Sequence, residues 1–128
     1  MLADEIKSSI QTAYSQMLES RELIPRYGQR LMIAEIAKTL AVLSSDEEQE
    51  PPICVCEAGT GTGKTLAYVL AVLPLAQALD LKVVIATATV ALQEQVVNKD
   101  LPEILDGSNL SFSFSLAKGR GRYLCLSK

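Results

Sequence analysis

A chain of 128 residues, 48% of them hydrophobic and 21% charged, is long enough for one domain with a buried core, and its composition excludes a disordered or collagen-like protein. The net charge of −3 argues against a uniformly basic nucleic-acid binder, but the charge is uneven. Asp46, Glu47, Glu48 and Glu50 are bunched together, whereas Lys118, Arg120, Arg122 and Lys128 follow Ser111 with no acid among them, a local basic segment that can meet phosphates.

Residues 2–20 read as an amphipathic helix, with Leu2, Ile6, Ile10, Tyr14 and Met17 on one face. Asp4 and Glu5 stand where a secretory signal would be basic, so none is expected. Ile24-Pro25-Arg26-Tyr27-Gly28 breaks the pattern, a second helix is expected from about Gln29 to Leu43, and Ser44 to Pro52 reads as a polar, acidic loop. Ile53 to Glu57 is a short β-rich run leading into a glycine-rich turn. Lys64 to Leu79 returns to helical pattern, kinked or ended near Pro74. The apolar run within it, Leu66 to Ala76, is too short to cross a bilayer, and no membrane contact is expected.

Lys82 to Thr87 reads as a second, buried strand and Thr89 to Lys99 as a further apolar helix. Ser111 to Ala117 reads as a third strand, with Phe112, Phe114 and Leu116 alternating against serines. Two helices followed by β-α-β-α-β predict an α/β fold. Residues 1–50 would form a helical N-terminal segment, and residues 51–128 an incomplete lobe with a parallel sheet flanked by helices. Cys54 and Cys56 on the first strand read as small buried apolar residues. Three cysteines without a pairing pattern fit a reducing compartment, the cytoplasm by default.

The strongest signal is Ala58-Gly59-Thr60-Gly61-Thr62-Gly63-Lys64-Thr65, which follows the first expected strand and opens a helix. Glycines let the backbone take unusual dihedrals and bring its N–H groups close to a polyphosphate, and the helix N-terminus adds partial positive charge. Lys64 would reach the β and γ phosphates, and the Thr65 hydroxyl would help hold Mg²⁺. Ala58 replaces the first glycine of the strict pattern. These residues predict a nucleoside-triphosphate site, ATP with Mg²⁺, without saying what the energy drives.

Other segments narrow the class. A glutamine amide such as Gln29, in Arg26-Tyr27-Gly28-Gln29, matches the N6/N7 edge of adenine; an isolated glutamine is otherwise a polar helix start. Thr87 and Thr89 stand where a strand gives way to a helix, a place suited to a nucleic-acid phosphate or to an ordinary N-cap. Lys118-Gly119-Arg120-Gly121-Arg122-Tyr123-Leu124-Cys125 is a basic loop ending in a cysteine. No G-protein base reader is present, since Asn98-Lys99-Asp100 lacks the required spacer.

Together these residues resemble the bacterial DinG-type DNA helicases, relatives of XPD, from about Ile24 to Cys125; the sister YoaA branch carries nearly the same motifs. The resemblance implies a RecA-like motor lobe, with Arg26 and Gln29 at adenine and residues 57–65 at the phosphates. It places Thr87, Thr89, Leu92, Gln93 and Gln95 along a single-strand path, with Lys118, Arg120 and Arg122 near DNA. Cys125 would be the first of four ligands to a [4Fe–4S] cluster, and Arg122 stands where that family often has asparagine. No apolar strand here ends in paired acids, so the resemblance implies the N-terminal part of a longer 5′→3′ helicase acting on single-stranded or forked DNA, inactive by itself. A free-standing ATP-binding module is the competing reading; a small P-loop kinase would need an acceptor site and a lid. Apolar strands left without neighbours are expected to drive self-association.

Overall fold

The computed structural model describes residues 3–59 and 61–123. Asp4–Ser20 forms α1, with Asp4 and Glu5 in its first turn complementing the positive end of the helix. Its apolar stripe buries Ile6, Ile10, Ala13, Tyr14 and Met17. The helix ends with Glu22 at φ 52°, and the Leu23 N–H reaches the Leu18 carbonyl at 2.8 Å, a reversal that satisfies carbonyls the helix leaves open.

Tyr27–Leu40 forms α2, continued by a 3₁₀ turn, Ala41–Ser44. Lys64–Ala78 forms α3, which is apolar on nearly every side and is therefore the centre of the fold. Both α1 and α2 pack against it, and together they make one continuous core. Pro74 lies inside α3 and is buried. The helix neither ends nor breaks there, because packing outweighs the one backbone hydrogen bond that proline removes.

Val90–Gln95 forms α4 and Leu101–Gly107 forms α5, joined by a π-helical turn, Val96–Asp100. Pro102 explains the wide turn: its ring crowds the preceding turn and it has no N–H to offer. The sequence pattern ends this helix near Lys99 and predicts no helix between there and Ser111, whereas α5 packs on α1. Ser20 Oγ donates to the Gly107 carbonyl at 3.0 Å, and Arg21 reaches Asp106 at 3.3 Å.

The expected parallel sheet is not present among the described residues, so the α/β fold class is corrected. Segments 53–57, 82–87 and 111–117 form no strand and share no ladder hydrogen bonds. These segments nevertheless bury some side chains and expose others. Cys54, Ile85 and Phe112 pack against the helical core, while Ile53, Val55 and Val84 are 82%, 91% and 90% exposed. Alternation records which face of a segment is apolar, not whether a neighbour lies alongside to take its N–H and C=O groups. An open groove of about 1250 Å³, lined by 81–87, 112–117 and one side of α3, occupies the space where strands would pair. Cys54 is only half-buried and Cys56 is exposed, which corrects their reading as core residues. Their sulfurs lie 3.5 Å apart.

No helix among the described residues is long and apolar enough to cross a membrane.

Candidate nucleotide-binding site

The loop before α3 has the geometry that its glycines predict. Gly61 and Gly63 take φ of 80° and 79°, a left-handed region costly for residues with a Cβ. The Thr62 hydroxyl donates to the Gly59 carbonyl at 2.7 Å, closing a tight turn. Gly63 is the N-cap and Lys64 the first residue of α3, so the first-turn N–H groups of a long, buried helix point out of this loop without intrahelical partners. Lys64 is exposed, and Thr65 half-buried. Gly59 has neither a positive φ nor any neighbour within 4 Å of an added Cβ, so packing among the described residues does not explain a glycine there. Ala58 is half-buried beside it, and Thr60 lies outside the described residues.

The structure brings Gln29 to this loop. It is the one buried polar side chain among the described residues, 5% exposed. Its Nε2 donates to the Gly63 carbonyl at 3.1 Å, and its Oε1 accepts from the Tyr14 hydroxyl at 2.9 Å. A Cβ on Gly63 would lie 2.3 Å from Gln29 Nε2, and one on Gly28 would lie 3.6 Å from Thr62. The start of α2 is therefore packed onto the glycine-rich loop. Arg26, one residue before α2, is exposed. The sequence pointed to Gln29 but missed its tie to Gly63. A tyrosine in the apolar stripe of α1 was the available signal, because a buried phenol needs a hydrogen-bond partner.

Asp100, to which the sequence pattern assigns no role at this site, lies near the same helix start. Burial pushes its carboxyl above the usual range, and Glu103 adds to this; Lys99, Gln95 and Thr65 pull the other way. Its Oδ2 is buried with no hydrogen-bond partner.

The residues expected along DNA fall into two groups. Thr89 is the N-cap of α4, accepting from the Leu92 N–H at 3.2 Å, and the Thr87 hydroxyl donates to the Thr89 carbonyl at 3.3 Å. Gln95 is exposed. Gln93 is drawn to the basic segment: its amide donates to the Ala117 carbonyl at 3.1 Å and its side-chain oxygen accepts from Arg122. Arg122 also pairs with Glu94 at 3.6 Å. Lys118 and Arg120 are exposed, and the Lys118 N–H donates to the Tyr123 hydroxyl at 2.8 Å. Cys125 lies outside the described residues. Among those that are described, no group of three or more His, Cys, Asp or Glu side chains is placed to hold a metal ion, so no iron–sulfur chemistry is derived from them.

The DEAD/DEAH box helicase family matches residues 26–121. The ATP-dependent DNA helicase DinG of Photobacterium profundum is 48% identical over the whole chain, which spans 18% of that protein's length. Its namesake in Escherichia coli K12 is 40% identical over 97% of the chain and 16% of its own length. The Salmonella choleraesuis protein of that name is 38% identical over the same share. The chain thus spans less than a fifth of the curated relatives it matches. A glycine-rich loop at the head of a buried helix, packed against a glutamine at the start of the preceding one, is thus found in a chain that belongs to the DEAD/DEAH box helicase family and is similar to DinG helicases from end to end.

Proposed function

We propose that this chain forms the nucleotide-binding part of an ATP-driven DNA helicase of the DinG type, acting in the cytoplasm. The observation that carries the proposal is the loop from Gly59 to Lys64. Two left-handed glycines and one glycine unexplained by packing precede the exposed Lys64 at the start of α3, a cradle suited to polyphosphate. In this reading Lys64 neutralises charge on the β and γ phosphates, Thr65 helps hold Mg²⁺, and Ala58 through Gly63 supply backbone N–H groups. Arg26 and Gln29 face the adenine. Gln29 keeps one amide hydrogen and one lone pair beyond those it spends on Gly63 and Tyr14, the minimum for a two-point contact with the base.

Thr87, Thr89, Gln93, Gln95, Lys118, Arg120 and Arg122 then line a path for single-stranded or forked DNA, with 5′→3′ movement and a [4Fe–4S] cluster at Cys125 in the longer protein. Lys64→Ala in that protein tests the proposal. It should abolish DNA-stimulated ATP hydrolysis and unwinding, and unwinding at the unmutated rate would overturn it.

A further inference from the structure

Tyr14 lies on α1, far in sequence from the phosphate loop, and belongs to no motif. Its ring sits in the buried stripe with Ile6, Ile10, Ala13 and Met17, where phenylalanine would fill the space equally well. Its hydroxyl does something phenylalanine would not. It donates to Gln29 Oε1 at 2.9 Å, and Gln29 Nε2 donates in turn to the Gly63 carbonyl at 3.1 Å. The direction of this chain is fixed by chemistry: the Gly63 carbonyl can only accept, so the amide must present nitrogen to it and oxygen to the phenol. Without the phenol, the buried oxygen of Gln29 would lose that donor, and only the Gly63 carbonyl would hold the amide in the orientation that serves it.

The Gly63 carbonyl is also the acceptor for the first turn of α3, taking the Ala67 N–H at 3.1 Å. Gly63 itself sits at φ 79°, next to Lys64. Its peptide plane thus sets where the helix begins and where the first free N–H groups point. From this chain of contacts the structure assigns Tyr14 as a positioning residue of the nucleotide site. Acting through the Gln29 amide, it holds the Gly63 carbonyl and so the phosphate loop. The assignment rests on the nucleotide-binding reading above.

The test is equilibrium titration of the full-length protein with a fluorescent ATP analogue and Mg²⁺, for Tyr14→Phe, Gln29→Met, the double variant and Lys64→Ala, beside steady-state kcat and KM. Losing one buried hydrogen bond should weaken binding about threefold to tenfold in Tyr14→Phe, seen as a raised KM with little change in kcat. In the Gln29→Met background, Tyr14→Phe should add nothing, because the two residues act as one unit. Unchanged binding in Tyr14→Phe, or an equal loss with and without Gln29, overturns the assignment. Should Gln29→Met fail to fold, Gln29→Glu replaces it, a carboxylate that still accepts from Tyr14 but cannot donate to Gly63. Binding that survives Lys64→Ala undiminished would instead remove the nucleotide-binding reading itself.

Discussion

The Arg122 guanidinium donates to the side-chain oxygen of Gln93, 29 positions earlier in the chain. This contact, with that from Gln93 Nε2 to the Ala117 carbonyl, docks the basic segment on α4. Two residues expected along DNA therefore hold each other, and Glu94 shares the arginine. Gln93→Ala removes both hydrogen bonds at once. The segment should then open more often, and tryptic cleavage after Lys118 and Arg120 should quicken by about tenfold, from two bonds of ordinary net strength. Cleavage at the unaltered rate would show that the segment is held by something else.

Gly63 is constrained twice. Its φ of 79° disfavours any side chain, and an added Cβ would lie 2.3 Å from Gln29 Nε2. Gly63→Ala should therefore destabilise the fold by about 2–4 kcal/mol, from left-handed strain plus a displaced buried amide. Denaturant unfolding measures this. Gly61→Ala should cost less, about 1–2 kcal/mol, because it carries the strain without a clash. Equal losses at the two positions would mean that Gln29 yields freely.

What the sequence made legible follows the range of the forces involved. α1, α2 and α3 were readable because an apolar stripe repeats within a few residues and docks on whatever core is present. Gly61, Gly63 and Lys64 were readable because loop chemistry is local. Gln29 was singled out for a contact with adenine, while its ties to Tyr14 and Gly63, which join three separate elements, left no local trace. The sheet failed as an expectation for the same reason. Ile53 to Glu57 and Lys82 to Thr87 are short apolar, β-rich runs, but a ladder is a property of two segments, and such runs say only that the segment has apolar side chains to bury. The helix after Asp100 was missed because Pro102 reads as a stop, whereas a π-helical turn absorbs it.

Asp100 gives a prediction in pH. Loss of surrounding water holds its carboxyl above the usual range, so the folded chain binds this proton more tightly than the unfolded one. The linked stability is complete below the unfolded-state pKa and is lost as pH rises through the raised folded value. Above that raised value the fold carries an ionised carboxylate whose Oδ2 has no donor. Asp100→Asn should raise the Tm at pH 7 by about 2 °C, a modest gain because the group is only partly buried. The gain should vanish in acid, where Asp100 is already protonated. A loss of stability at pH 7 would mean that the charge is satisfied by a partner such as bound Mg²⁺.

The last prediction concerns the uncovered side of the irregular segments. Ile53, Val55 and Val84 are 82%, 91% and 90% exposed, and their backbones have no ladder partner among the described residues. Apolar side chains beside free N–H and C=O groups form a surface that accepts a further strand readily. Polar substitutes would cost nothing on a face that water permanently covers, so these valines and this isoleucine suit a covered one. In the longer protein the remaining chain is available to cover them. In the 128-residue chain alone only a second copy is present, and its average mass by light scattering should rise with concentration. Val55→Lys with Val84→Lys should suppress that rise, since like charges on the two segments oppose close stacking. A mass that stays at one chain across the concentration series would show that these segments remain solvated by themselves.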